Sequence, residues 1–186
     1  MLTATDPLPL RPSRVAIAGV SGSGKSTLAR RLSVVLDLPY VEMDALFHGP
    51  DWTPLPTFEA EVDAFVADDR WVTEWQYDYA RPLLTARADL MVWVDLPFPV
   101  TLARVVRRTV GRRLRREVLW NGNREGPLHT FFTDREHIVR WAIQTRNLYD
   151  ERIPAVAAHR PDLVIVRLRT TREVDRWVRE VVEPLA

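Results

Sequence analysis

The chemistry-bearing residues of this 186-residue chain begin with Gly19-Val20-Ser21-Gly22-Ser23-Gly24-Lys25-Ser26-Thr27, in which Lys25 is the sole lysine. Apart from four histidines, every other basic side chain is an arginine. Lysine is a compact ammonium on a flexible stem, whereas arginine is a planar fork, so lysine suits a loop that wraps phosphates and must reach between β and γ groups. Glycines at 19, 22 and 24 permit positive φ and close backbone approach. Successive N–H groups, those of Ser21 and Ser23 among them, can then turn inward as an anion nest at a helix start. Ser26 offers its hydroxyl to Mg²⁺, and Thr27 lies toward the α-phosphate side. The spacing suits a nucleoside triphosphate.

A nest works only between a strand and a helix, and the flanks predict both. Arg14 to Ala18 reads as a buried strand, and Thr27 to Leu36 as a helix with Leu28, Leu32, Val35 and Leu36 on its apolar side. Short apolar runs then alternate with amphipathic segments to the C-terminus, the pattern of βαβ units on a parallel sheet. The expected strands are 39–43, 70–73, 90–94 and 162–166. The expected helices are 58–66, 101–110, 136–149 and a last one carrying Val174, Trp177, Val178, Val181 and Val182. Such sheets place ligands at the carboxyl ends of their strands, which makes Asp44, Glu74 and Asp95 candidates. An acid there can hold Mg²⁺ or its water shell, or take a proton from an attacking hydroxyl. Asp95 abuts Leu96-Pro97-Phe98-Pro99 and is read first as a residue that shapes this turn.

The length suits one domain, expected over 13–186, with residues 1–12 as a loose leader. No cysteine is present, which excludes disulfides, thiol nucleophiles and cysteine-based metal sites. No apolar stretch approaches the ~20 residues of a membrane span, and the proline-rich start lacks a signal-peptide core, so a cytoplasmic protein is expected. Histidines 48, 129, 137 and 159 show no paired metal spacing and read as core or surface residues. The net charge of +1 gives no overall attraction to nucleic acid. Charge is uneven, however: seven arginines and no acid lie within 104–116, and no arginine or lysine lies within 47–69. Trp120, Phe131 and Phe132 beside the arginine run could stack bases, but they are assigned to packing and no nucleic-acid partner is expected.

Several pieces together resemble the adenylate-kinase-like small P-loop kinases, and within them the DNA topology modulation proteins. They are the loop at 19–27, Met43-Asp44-Ala45-Leu46 followed by Trp52, Ala88-Asp89-Leu90 leading to Val94-Asp95-Leu96-Pro97, then Arg104, Arg108 and Asn123-Arg124-Glu125. The resemblance implies an α/β three-layer sandwich with a five-stranded parallel sheet in the order 2-3-1-4-5 and a helical lid at about 107–135. It implies ATP and Mg²⁺ as cofactors and a small acceptor as partner. Lys25 would meet the β- and γ-phosphates, Ser26 the metal and Glu74 its water shell. Asp44 would orient or deprotonate the acceptor, with Trp52 and Arg81 beside it, and Arg104 and Arg108 would steady the transferring group. Where relatives read Asp-Gly-Asn-Tyr, this chain has Glu74-Trp75-Gln76-Tyr77, and the large ring at 75 is expected to reshape the acceptor pocket. The function expected is an ATP-dependent kinase. A nucleoside monophosphate acceptor is the alternative within that class, weakened by the absence of a clamping arginine between 47 and 69. A nucleotide-binding switch or DNA-associated ATPase is the alternative outside it.

Overall fold

Five short apolar runs pair in parallel, each covered on both faces, in a computed structural model that describes residues 1–124, 126 and 138–186. The strands are β1 (Arg14–Ala18), β2 (Tyr40–Val41), β3 (Trp71–Glu74), β4 (Leu90–Val94) and β5 (Val164–Leu168), in the expected order β2-β3-β1-β4-β5. Burial on both faces is why β4 reads as the unbroken run Leu-Met-Val-Trp-Val, with all five residues buried. Alternation still sorts the side chains: Val15 and Ile17 enter one core layer, Ala16 and Ala18 the other. The first layer is roofed by α1 (Lys25–Leu36), whose Leu28, Leu32 and Leu36 are buried, and by the last helix through Trp177, Val178 and Val182. Burying each such leucine contributes about 1.5–3 kcal/mol, so α1 and the nest at its N-terminus are firmly anchored. The second layer receives Phe58, Val62 and Val66 of α3 (Phe58–Ala67), Ala80 and Leu84 of α4 (Ala80–Arg87), and Ile153.

Several elements depart from the sequence expectation. The run 39–43 is a strand only at Tyr40 and Val41; the chain then leaves the sheet at Glu42 into a short helix, α2 (Met43–Phe47). Met43 is fully buried in the second layer, which pulls the chain off the sheet and puts Asp44 in a helical first turn rather than at a strand end. Helix α4 is not evident from periodicity. Helix α5 (Phe98–Arg115) is longer than expected at both ends, and Arg116 closes it with φ 51 and a backbone N–H shared by the carbonyls of Arg112 and Arg113. The expected helix 136–149 is, over its described part, α6 (Ile138–Gln144) followed by α7 (Leu148–His159). Thr145 donates its hydroxyl to the Trp141 carbonyl at 2.7 Å, a bond that competes with helix continuation at the break. Strand β5 starts two residues late, and α8 (Thr171–Trp177) follows it, capped by Thr170 Oγ1 accepting from the Glu173 N–H.

The expected loose leader is tied to the body at several points: Leu2 donates to the Ile165 carbonyl at 2.7 Å and accepts from Arg167 N–H at 3.0 Å, Ala4 is buried, and Arg11 donates to the Leu36 carbonyl at 3.3 Å. Glu125, His129, Phe131, Phe132, Glu136, His137 and most of the expected lid beyond Arg124 lie outside the described residues. Among the described residues no helix is long and apolar enough to cross a membrane.

Candidate active site

The nest forms where β1 turns into α1, and three glycines there have positive φ: 151° at Gly19, 78° at Gly22 and 99° at Gly24. At two of them shape adds to conformation. A Cβ on Gly22 would sit 2.3 Å from the Thr101 carbonyl oxygen of α5, and one on Gly19 would sit 2.7 Å from the Val94 carbonyl oxygen. The loop closes on itself through Ser23 N–H to the Val20 carbonyl at 3.1 Å. Ser23 is buried and its Oγ has no partner among the described residues, while Ser21 and Ser26 are half-buried and Thr27 is exposed. Lys25 reaches back along the loop and donates to the Val20 carbonyl at 3.3 Å. Burial pushes its ammonium below its ordinary basicity; the Asp44 and Glu74 carboxylates oppose this, and Arg108 adds to it. The nest is thus a preformed concavity whose lysine forms no ion pair among the described residues, with Asp44 and Glu74 acting on it through space.

Glu74 ends β3 opposite Ile17 of β1, and its carboxylate is fully buried. Both of its oxygens have partners, Tyr40 Oη donating at 2.7 Å and Met43 N–H at 3.4 Å. The Tyr40 hydroxyl is in turn held far less acidic than usual by burial and by Glu74. Glu74 therefore fastens β2 and the first turn of α2 to β3, and through them places Asp44. The Asp44 carboxylate receives two donors on one oxygen: Gln76 Nε2 at 2.6 Å and Tyr77 Oη at 2.7 Å both reach Oδ1. Tyr77 has φ 63, uncommon for a non-glycine residue, and its ring stacks on Phe47 at 4.2 Å. Burial and Asp44 hold its hydroxyl proton firmly. His48 approaches the same hydroxyl at 3.3 Å, and its own basicity is lowered by burial.

The remaining candidates divide. Arg104 of α5 donates to the Ser23 carbonyl at 3.3 Å and to Thr171 Oγ1 at 2.7 Å, so it braces the nest against the start of α8. Arg108, one turn on, is exposed and acts on Lys25 through space. Arg81 pairs with Asp78 and lies over the Trp75 ring at 5.6 Å, and burial lowers its basicity. The Trp75 indole turns into the second core layer. It is buried against Tyr149 and donates to Thr85 Oγ1 at 2.9 Å. Asp95 pairs with Arg167, Nη2 to Oδ2 at 2.6 Å, and Arg167 stacks on Trp93. The carboxylate is thus held by a residue of the neighbouring strand β5.

Trp52 has a role that spacing did not suggest. Its backbone N–H donates to Asn123 Oδ1 at 3.1 Å and its indole to the Arg124 carbonyl at 3.3 Å. Asn121 and Asn123 return bonds to the carbonyls of His48 and Gly49, at 2.6 and 2.8 Å. Four side-chain bonds thus join segment 48–52, next to Asp44, to segment 121–124 beyond α5. The turns that present them carry positive φ at Asp51, Trp52, Asn121 and Gly122.

No protein-family model matches the chain, and no curated protein does. Among solved structures it is similar to shikimate kinase from Acinetobacter baumannii in complex with shikimate, with a TM-score of 0.54 and 16% identity over 90% of this chain and 89% of that one. It is also similar to a gluconokinase from Sinorhizobium meliloti 1021, with a TM-score of 0.53 and 18% identity over 94% and 91%. The chain has the fold of small P-loop kinases. At such identities the likeness is one of fold, and the narrower one to DNA topology modulation proteins stays a resemblance of sequence motifs.

At the carboxyl ends of β1 and β3, the fold gathers the nest, Lys25, Glu74 and Asp44 at one edge, with Arg104 and Arg108 alongside on α5. Asp95 and Arg81 are engaged elsewhere. The residues present fit a triphosphate with Mg²⁺: the glycine concavity excludes a Cβ, and Ser26 stands in the first turn of the helix behind it. Among the described residues no group of three or more histidines or acids could hold a metal by itself. Gln76, Tyr77 and His48 were missed as site residues. The one available signal was a polar and an aromatic residue directly after the strand-terminal Glu74.

Proposed function

We propose that this chain is an ATP- and Mg²⁺-dependent phosphotransferase that moves the γ-phosphate to a hydroxyl of a small acceptor. The observation that carries the reading is the pairing of a preformed nest and its lone lysine with an acid, Asp44, held by two donors at the same edge of the sheet. The amides of Gly19 to Thr27 and the Lys25 ammonium bind the phosphate chain. Ser26, with Glu74 acting through water, would hold Mg²⁺, which when bound neutralises charge on the phosphates. The acceptor oxygen attacks phosphorus, the bond to the β-phosphate oxygen breaks, and the acceptor proton passes to Asp44. Arg108 sits exposed where it can close on the transferring group, and Arg104 keeps the loop in register. Positioned arginines of this kind supply on the order of 10³ to 10⁵ in rate. Trp52 borders the acceptor side, whereas Arg81, held by Asp78 and Trp75, is given no part in it.

A nucleoside monophosphate acceptor fits less well, because segment 47–69 offers no cation to its phosphate and carries six acids. The test follows the γ-phosphate of labelled ATP into a panel of sugars, sugar acids, nucleosides, aminoglycosides and nucleoside monophosphates. Label on a hydroxyl acceptor is the expected result. Label on a monophosphate would overturn the hydroxyl reading. Label released only as inorganic phosphate, with release stimulated by DNA, would replace the kinase by a DNA-associated ATPase.

A further inference from the structure

Three groups outside the expected site converge on Asp44, and their hydrogen-bond directions can be worked out. Tyr77 owns a single hydroxyl proton, and a carboxylate oxygen accepts only. Gln76 Nε2 donates to Asp44 Oδ1 at 2.6 Å, which marks that oxygen as an acceptor, and Tyr77 Oη lies 2.7 Å from the same atom. The tyrosine proton therefore points at Asp44. The 3.3 Å contact between Tyr77 Oη and His48 Nε2 then requires the histidine to donate. A neutral imidazole carries one N–H, so His48 has its proton on Nε2 and a bare nitrogen at Nδ1. Nδ1 is buried and makes no hydrogen bond of good geometry among the described residues, while the Trp52 backbone beside the ring favours its protonated form.

The ring positions leave little freedom to this chain of bonds. His48 packs edge-on against Phe47 at 5.1 Å and Trp52 at 5.1 Å and stacks with Trp120 at 6.1 Å, while Asn121 holds its backbone carbonyl. Tyr77 is fixed by its stack on Phe47 and an edge contact with Phe58 at 5.2 Å. Among the described residues nothing bonds the other oxygen of Asp44.

We infer that His48 and Tyr77 are positioning residues: a one-way chain, His48 Nε2–H to Tyr77 Oη and Tyr77 Oη–H to Asp44 Oδ1, joined there by Gln76, occupies one carboxylate oxygen and leaves Oδ2 for the acceptor hydroxyl. This rests on the phosphotransferase reading for its purpose and on the hydrogen-bond geometry alone for its direction. It adds that the segment joined to 121–124 feeds the orientation of the base, since His48 belongs to both.

The direction is read by ¹⁵N-labelled histidine in the full chain, where long-range ¹H–¹⁵N correlations distinguish the two neutral tautomers. The Nε2–H form of His48 is expected in the wild type. In Asp44→Ala the tyrosine proton loses its acceptor and turns to His48, and the Nδ1–H form should grow. A wild-type Nδ1–H form, or no change in Asp44→Ala, would overturn the inference. The positioning role is read by ATP turnover, with water as acceptor or with whichever hydroxyl acceptor the transfer assay finds. Tyr77→Phe keeps the ring stack and should lower kcat ~10-fold, the value of about one hydrogen bond, with KM for ATP unchanged. His48→Gln, which keeps a donor, should retain more turnover than His48→Leu. Equal losses in those two variants, or a matching rise in KM for ATP in Tyr77→Phe, would reduce the chain to packing. A wild type that transfers no phosphate to any acceptor would refute the kinase reading and leave the tautomer result to decide the chain.

Discussion

Replacing Lys25 by methionine keeps an unbranched stem and removes the only ammonium in the nest. A charge-assisted contact of this kind is worth about 1.5–3 kcal/mol, so the Kd for Mg-ATP should weaken roughly 10- to 150-fold. At a nucleotide concentration about 100 times the wild-type Kd, binding adds about 2.7 kcal/mol to the wild type. A variant weakened 10- to 150-fold gains only about 1.4 to 0.3 kcal/mol from the same concentration. A domain of this size moves by about 2–4 °C in Tm per kcal/mol, so a wild-type rise of about 5–11 °C should shrink to about 1–6 °C. The free proteins should differ in the opposite sense. Burial holds the Lys25 amine below its ordinary value of 10.5, so between the lowered value and 10.5 the unfolded chain binds more protons than the folded one. Wild-type stability should therefore gain from this group as pH rises through that window, and Lys25→Met should lack the gain. Seven tryptophans make intrinsic fluorescence during heating a sufficient assay. An ATP-dependent shift of the same size in both proteins would refute the assignment of Lys25 to the phosphates.

Asp44→Asn should lower phosphotransfer by ~10²-fold or more with ATP affinity little changed, checked by steady-state kinetics against nucleotide binding; equal loss of both would make Asp44 part of the nucleotide site. Gly22→Ala must accommodate φ 78 and a Cβ 2.3 Å from a backbone oxygen of α5, so a loss of about 2–4 kcal/mol by denaturant unfolding is expected, and a loss under about 0.5 kcal/mol would mean the contact is not formed. His48 has a lowered pKa, so the unfolded chain takes up a proton near 6.5 that the folded one resists; stability should fall as pH drops below about 6.5, and His48→Gln should flatten that slope in a pH series of melts. Trypsin should cut first after Arg115 and Arg116, at the C-terminal end of α5, and Mg²⁺ with a non-hydrolysable ATP analogue should slow it. Protection by DNA and not by the analogue would turn the arginine run over to nucleic acid.

The nest was legible in the sequence because local rules govern it: only glycine tolerates the φ at 19, 22 and 24, and only a lysine follows. The strands were legible where they are buried on both faces, as in β1 and β4. The site around Asp44 was not, because its geometry comes from contacts that no short window contains. Met43 leaves the sheet for a core built by residues 58 to 165, and Glu74 draws Tyr40 and Met43 across thirty residues of chain. The tie from Leu2 to β5 and the Asp95–Arg167 pair are of the same kind, hydrogen bonds and charges between strands whose neighbourhood only the topology creates.

The solitary lysine has a consequence for covalent chemistry. With no second ε-amine anywhere in the chain, acylation or any other lysine-directed modification has one side chain to attack, and that side chain lines the nest. Its lowered basicity leaves more of it as free amine near neutrality than an exposed lysine would have. Mass added at Lys25, read in its own peptide so that acylation of the α-amine is kept apart, would therefore report access to the loop, and the amount of it blocked by nucleotide would report occupancy without any knowledge of the acceptor.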